Sequence, residues 1–148
     1  MLAAQAFHWF DRKLAAREFR RILKANGWVV LIWNNRVSTG DEFHEHLEDM
    51  LQTNLPEYNK VNHRNVGLEI IRLFFSNDKV IHRELPNSQM LDWEGFRGRL
   101  LSASYVPKEG MPGHKEIMTL AANLFRQHQH NDRIVIKYVT ELFIARFG

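Results

Sequence analysis

Between Asp11 and Gly27 the apolar residues Ala15, Phe19, Ile22 and Leu23 recur at i, i+4, i+7 and i+8. That spacing gathers them on one face of a helix. Asp11 stands where its carboxylate can accept from the orphan amides of the first turn, and Asn26-Gly27 supplies the left-handed backbone that ends many helices. The next six residues, Trp28 to Trp33, are all apolar, β-branched or aromatic. They are apolar on both alternating faces, which predicts a strand buried on both sides within a sheet. A helix turning tightly into such a strand is half of a βαβ unit. Met1 to Phe10 reads as the tail of another strand followed by a loop.

Further on, Asp41 to Gln52 predicts a helix with Phe43, Leu47, Met50 and Leu51 on one face, stopped by Pro56. Asn62 to Phe75 predicts another, through Val66, Ile70, Leu73 and Phe74, with Gly67 weakening it. Lys79 to Gln89 reads as extended, and its Pro86 suits an edge strand, where the missing amide is not needed for pairing. Asp92 caps a short helix to about Leu101, and Pro107 to Gly113 is a loop. His114 to His128 predicts a helix through Ile117, Leu120, Ala121, Leu124 and Phe125. Arg133 to Phe147 alternates as a long strand. The sum is an α/β fold: a small mixed sheet, with a buried central strand and an antiparallel C-terminal strand, packed with several helices.

The chain's 148 residues fit a single domain, 1–148. With 45% hydrophobic and 25% charged residues, composition excludes disordered and collagen-like classes. The absence of cysteine excludes disulfides, thiol catalysis and iron–sulfur clusters, and is consistent with a cytoplasmic address. No apolar run is long enough to cross a bilayer, and the N-terminus has neither the basic nor the apolar region of a signal peptide. Net charge is only +3, but it is unevenly spread. Residues 11–26 hold Arg12, Lys13, Arg17, Arg20, Arg21 and Lys24, whereas residues 41–57 hold six carboxylates and neither Lys nor Arg. Lys13, Arg17, Arg20, Arg21 and Lys24 share one side of the predicted helix. Such a stripe is either a solvated face or a surface for an anionic partner, and with no aromatic interleaved it is a poor site for nucleic acid.

AQAFHWFD at 4–11 and REFRRILKANGWVVLIWNNR at 17–36, followed by GRLLSASYVP at 98–107 and IVIKYVTELFIAR at 134–146, resemble class I S-adenosylmethionine-dependent methyltransferases of the small-molecule and lipid branch. The resemblance covers essentially the whole chain and matches the C-terminal half of such enzymes. It implies a truncated Rossmann-like fold and a small-molecule or lipid methyl acceptor. The eight glycines, at 27, 40, 67, 95, 98, 110, 113 and 148, form no G-x-G-x-G cluster. Gly110 to Gly113 carries a proline where an approaching backbone would donate an amide. S-adenosylmethionine is therefore implied by resemblance only, and the chain alone is expected to be inactive. A central strand stripped of neighbours leaves an apolar edge, which predicts a homodimer formed through that edge. The alternative is a non-catalytic dimeric module that meets an anionic partner through the basic helix face.

The resemblance places His8, Trp9 and Phe10 on the substrate side of the cofactor pocket, with His8 a candidate general base; the competing reading makes Trp9 and Phe10 core anchors. Asn34, Asn35 and Arg36 follow the buried strand, where open α/β sheets bind ligands and where asparagine also favours plain turns. Tyr58, His63 and Arg64 match the family's substrate-capping segment, or simply the surface. Ser102, Ser104 and Tyr105 match a family turn that local hydrogen bonding would also explain. His44 and His46 are two apart on a helix and point in opposing directions, so they cannot share a zinc. His128 and His130 read as a surface pair near Asp132, and no native metal site is expected.

Overall fold

A computed structural model describes residues 1–60, 66–77 and 79–148. Its elements run β1 (Leu2–Ala4), a 3-10 turn (Phe7–Trp9), α1 (Arg12–Ile22), β2 (Val29–Arg36), α2 (Glu42–Asn54), α3 (Pro56–Lys60), α4 (Leu68–Phe75), β3 (Ile81–Leu91), α5 (Trp93–Leu101), α6 (His114–His128) and β4 (Ile134–Ala145). The strands form one mixed sheet in the order β1-β2-β4-β3. β1 pairs parallel with β2, Leu2 opposite Val30 and Ala4 opposite Ile32. β4 runs antiparallel to β2, since Val37 bonds Lys137 while Trp33 meets Phe143. The α/β architecture expected from the pattern is the one found, and Pro86 does lie in the sheet's terminal strand, β3.

The caps form where the sequence places them. The carboxylates of Asp11, Asp41 and Asp92 accept from the amides of Leu14, His44 and Gly95. α1 ends earlier than expected, at Ile22, and Asn26 carries the positive φ of the turn into β2. Beside it, a Cβ on Gly27 would stand 2.9 Å from the Lys24 carbonyl oxygen, which explains a glycine there.

Three expectations need correction. First, Ile22 is half exposed rather than on the buried face of α1, which is built from Ala15, Ala16 and Phe19 and continued by Leu23. Likewise α4 buries Ile71, Phe74 and Phe75 and leaves Leu73 exposed, so its apolar face is rotated from the one read in the sequence. The predicted start of that helix, 62–65, lies outside the described residues. Second, β2 is fully buried on one face only, at Val29, Leu31 and Trp33, while Val30 and Ile32 are half-buried. Third, β2 has neighbours on both sides, so the open edge at that end of the described sheet belongs to the three-residue β1.

The chain divides into two compact units: Met1–Asn35 with His63–Asn87 and Tyr138–Gly148, and Arg36–Asn62 with Ser88–Lys137. In the first, Phe7 stands edge-on to Trp33 and Phe74, at ring distances of 6.0 and 4.7 Å, and Trp33 meets Phe143 in the same way. Each such pair is worth roughly 0.5–1.5 kcal/mol beyond the area it buries. In the second, α2, α5 and α6 pack through Phe43, Leu47, Leu51, Phe96, Ile117 and Phe125. No described helix is long and apolar enough to cross a membrane.

Candidate functional site

Three polar residues end β2. Strand alternation sends their side chains to opposite faces of the sheet. Asn35 shares the face of Trp33, and its Nδ2 donates to Glu141 Oε2 at 3.0 Å. The other oxygen of Glu141 lies 2.8 Å from His82 Nε2. Glu84, two residues along β3, brings Oε1 to 3.9 Å from the same nitrogen. The His82 ring lies flat on Phe143, 4.4 Å between centroids at an interplanar angle of 6°. Beside this group is a cavity of about 200 Å³, lined by Trp33, Asn35, His82, Glu141, Phe143 and the segment Val66–Leu68. Trp33 is 3% exposed, and its indole Nε1 has no hydrogen-bond partner among the described residues. A buried N–H left this way costs on the order of 1–3 kcal/mol, so it marks a place where a polar ligand or water would be favoured.

On the opposite face Asn34 Oδ1 accepts from Thr140 Oγ1 at 3.0 Å and from Asn87 Nδ2 at 3.3 Å, while its carbonyl accepts from Gln5 Nε2. Asn34 and Asn35 are thus each tied to a neighbouring strand rather than left in a free turn.

Arg36 goes elsewhere. Its guanidinium donates to Glu48 on α2, and at 2.9 Å to the Tyr58 hydroxyl on α3, which itself donates to Glu48 Oε2 at 2.8 Å. Arg36 and Glu48 are about one-sixth exposed. Burial by itself would raise the Glu48 pKa, but hydrogen bonds from Tyr58, Gln52 and Arg36, together with the charge of Arg36, hold it below the usual carboxylate range. Burial chiefly, with Glu48 adding, raises that of Tyr58. Tyr105 packs edge-on to Tyr58 at 4.9 Å.

Of the remaining sequence candidates, His8 lies in the 3-10 turn, with its pKa lowered by burial. Trp9 is 72% exposed and is no core anchor. Phe10 packs between Phe7 and Phe19. His63 and Arg64 lie outside the described residues. Ser102 Oγ donates to the Arg99 carbonyl at 2.7 Å, the local bond that the turn reading anticipates, and Ser104 is exposed. On the basic face, Arg21 pairs with Glu18, and Arg20 reaches Ser76 and lies over the Phe147 ring. Lys13, Arg17 and Lys24 are exposed. His44 and His46 do diverge. His44 is buried between Asp41 and the Lys137 amide, whereas His46 Nδ1 meets His128 Nε2 at 2.9 Å on the surface.

Sequence reasoning missed His82, Glu84 and Glu141. Their one local signal is the i, i+2 pairing of His82 with Glu84, which puts both on one face of a strand. Nothing local points to Glu141, 59 residues away from His82.

This sheet with its flanking helices is a methyltransferase fold. It aligns with a solved structure of a candidate type II methyltransferase from Anaeromyxobacter dehalogenans at a TM-score of 0.61 and 16% identity, over 98% of this chain and 63% of that one. In sequence the chain is similar to proteins described as methyltransferases or methyltransferase-like. It is 30% identical over 149 residues to the uncharacterized methyltransferase-like protein C25B8.10 of Schizosaccharomyces pombe, an alignment covering 97% of this chain and 56% of that protein. A 32-residue stretch, 22% of this chain, is 53% identical to the uncharacterized methyltransferase C25B8.09 of the same yeast, covering 13% of it. The chain therefore spans little more than half of the longer of these matches. No protein-family model matches it.

Proposed function

We propose that this chain forms the acceptor-binding half of an S-adenosylmethionine-dependent methyltransferase whose acceptor is a small molecule or lipid. The observation that carries this reading is the end of β2. Asn34 and Asn35 lie at the carboxyl end of an interior strand, are held in place by neighbouring strands, and Asn35 lines a cavity. Open α/β sheets bind their ligands beyond the carboxyl ends of strands.

The cofactor follows from the methyltransferase relatives, but the described residues do not by themselves fit it. β1 passes through Gln5, at φ 52°, into a 3-10 turn without a glycine, and β2 passes to α2 through a turn whose one glycine is Gly40. Neither is a glycine-rich cradle, so no step is derived through the cofactor. This chain's part is to position an acceptor. Asn34 and Asn35 supply amide donors and acceptors. Burial lowers the pKa of His8 and so favours its neutral imidazole, which can serve as a hydrogen-bond partner for an acceptor. Arg36 and Tyr58 are already engaged with Glu48 and belong to the second unit. Two copies would pair along β1, whose Leu2 is 62% exposed.

The test is nitrogen-15 NMR of the labelled chain, titrated with S-adenosylmethionine and then with small hydroxy, amino and carboxylic compounds. The expected result is no response to the cofactor, and ligand shifts confined to the Trp33 indole N–H and the Asn35 side-chain amide. Micromolar binding of S-adenosylmethionine to this chain alone would overturn the division of labour. Shifts confined to Lys13, Arg17 and Lys24 would move the reading to an anionic partner on α1.

A further inference from the structure

We propose that His82, Glu84 and Glu141 bind one divalent metal ion of the zinc type, with the adjoining cavity supplying its open coordination position. This inference does not rest on methyl transfer.

One ring nitrogen and one oxygen from each of two carboxylates all lie within 4.8 Å of one another. Around a tetrahedral zinc, ligand atoms at about 2.0–2.2 Å from the metal stand about 3.4 Å apart. The distances from His82 Nε2, 2.8 Å to Glu141 and 3.9 Å to Glu84, bracket that value. Small side-chain adjustments would place an ion between them. A mixed nitrogen and oxygen set suits zinc and its transition-metal neighbours better than magnesium or calcium, which favour oxygen alone.

The surroundings favour a cation for independent reasons. No described Lys or Arg pairs with Glu84 or Glu141, and Glu141 is three-quarters buried, so the basic side chain beside the two carboxylates is a single imidazole, with the neutral Asn35 amide on the other oxygen of Glu141. Such a pair repels itself unless a positive charge stands between. The ligands are also held from outside, as metal ligands usually are. Asn35 fixes one oxygen of Glu141 and leaves the other on His82, and the stack on Phe143 fixes the plane of the His82 ring. Three protein ligands leave a fourth position, and His82 and Glu141 both line the cavity. The buried indole N–H of Trp33, which lines the same cavity and lacks a partner among the described residues, suits an oxygen carried by the metal.

The experiment uses the full 148-residue chain, stripped with a chelator and dialysed. It is titrated with zinc chloride by calorimetry and with cobalt(II) by visible absorption. His82→Ala, Glu141→Gln, Glu84→Gln and Asn35→Ala are compared with a His46→Ala/His128→Ala double variant, which removes the close imidazole pair on the surface. The parent should take up one zinc per chain with a dissociation constant in the micromolar range or below, and show cobalt bands of low-coordinate type. His82→Ala and Glu141→Gln should weaken binding by about a hundredfold, and Asn35→Ala, acting through Glu141, by about tenfold. The double variant should bind as the parent does. Melting curves establish that each variant is folded, and the near-isosteric Glu141→Gln keeps an acceptor for Asn35. No saturable binding up to millimolar zinc overturns the site, as does full affinity in Glu141→Gln, or binding that disappears only in the double variant.

Discussion

Asn35 and Arg36 are neighbours in sequence, yet they enter two kinds of polar cluster. Around Arg36 the charges close. One guanidinium, one carboxylate and one phenol satisfy each other in a largely buried triad. Around Asn35 they stay open. Glu141 is met by an amide and an imidazole, Glu84 adds a second carboxylate, and a cavity lies alongside. The first arrangement is what a structural ion network looks like. The second keeps negative charge without a Lys or Arg partner and a buried indole donor without an acceptor among the described residues, and the metal proposal rests on that surplus. Perturbed ionisation belongs to the closed cluster, where Glu48 is lowered and Tyr58 raised.

The largest effect should come from opening the closed cluster. Glu48→Ala leaves the Arg36 charge largely buried and the Tyr58 hydroxyl without its acceptor. It should cost about 3 kcal/mol in urea denaturation. A loss below about 1 kcal/mol would mean that the triad is solvated and that the contrast with Asn35 is one of appearance.

Acid should act on the same unit. Burial opposes ionisation of Asp41, but hydrogen bonds from the Lys137 ammonium and from the ring and amide of His44 outweigh it, and its pKa falls well below the usual range. Glu48 is lowered as well. Groups depressed in the folded state contribute stability that is fully present above their unfolded value, near 4, and is lost as pH falls toward the folded value. Stability should therefore decline from about pH 5 downward. Asp41→Asn should be less stable near neutrality and should flatten the decline. An unchanged slope in that variant would remove Asp41 from the account.

Legibility in the sequence followed the range of the interaction. The caps at Asp11, Asp41 and Asp92, the full extent of α6 and the edge position of Pro86 each depend on a few adjacent residues, and each could be read directly. The buried faces of α1 and α4 were read less well. Ile22 and Leu73 fit the helical period, but the period fixes only which residues share a face, not where the neighbouring element ends. Asn34 and Asn35 were found because they follow an apolar strand. Their partners Thr140, Asn87, Glu141 and His82 were not, because strand register brings them together and no local pattern encodes it.

The smallest effect on stability is also the sharpest test of the comparison. Glu141→Gln removes one negative charge from the open cluster while keeping the shape and an acceptor for Asn35. A balanced network loses when one of its charges is removed, as Glu48→Gln should show by costing about 2 kcal/mol. A cluster with surplus negative charge should not. Glu141→Gln should change unfolding free energy by less than about 0.5 kcal/mol, or raise it, because a like-charge repulsion with Glu84 is relieved. If instead it costs as much as Glu48→Gln, then the charges around Asn35 already balance, and the two clusters are of one kind.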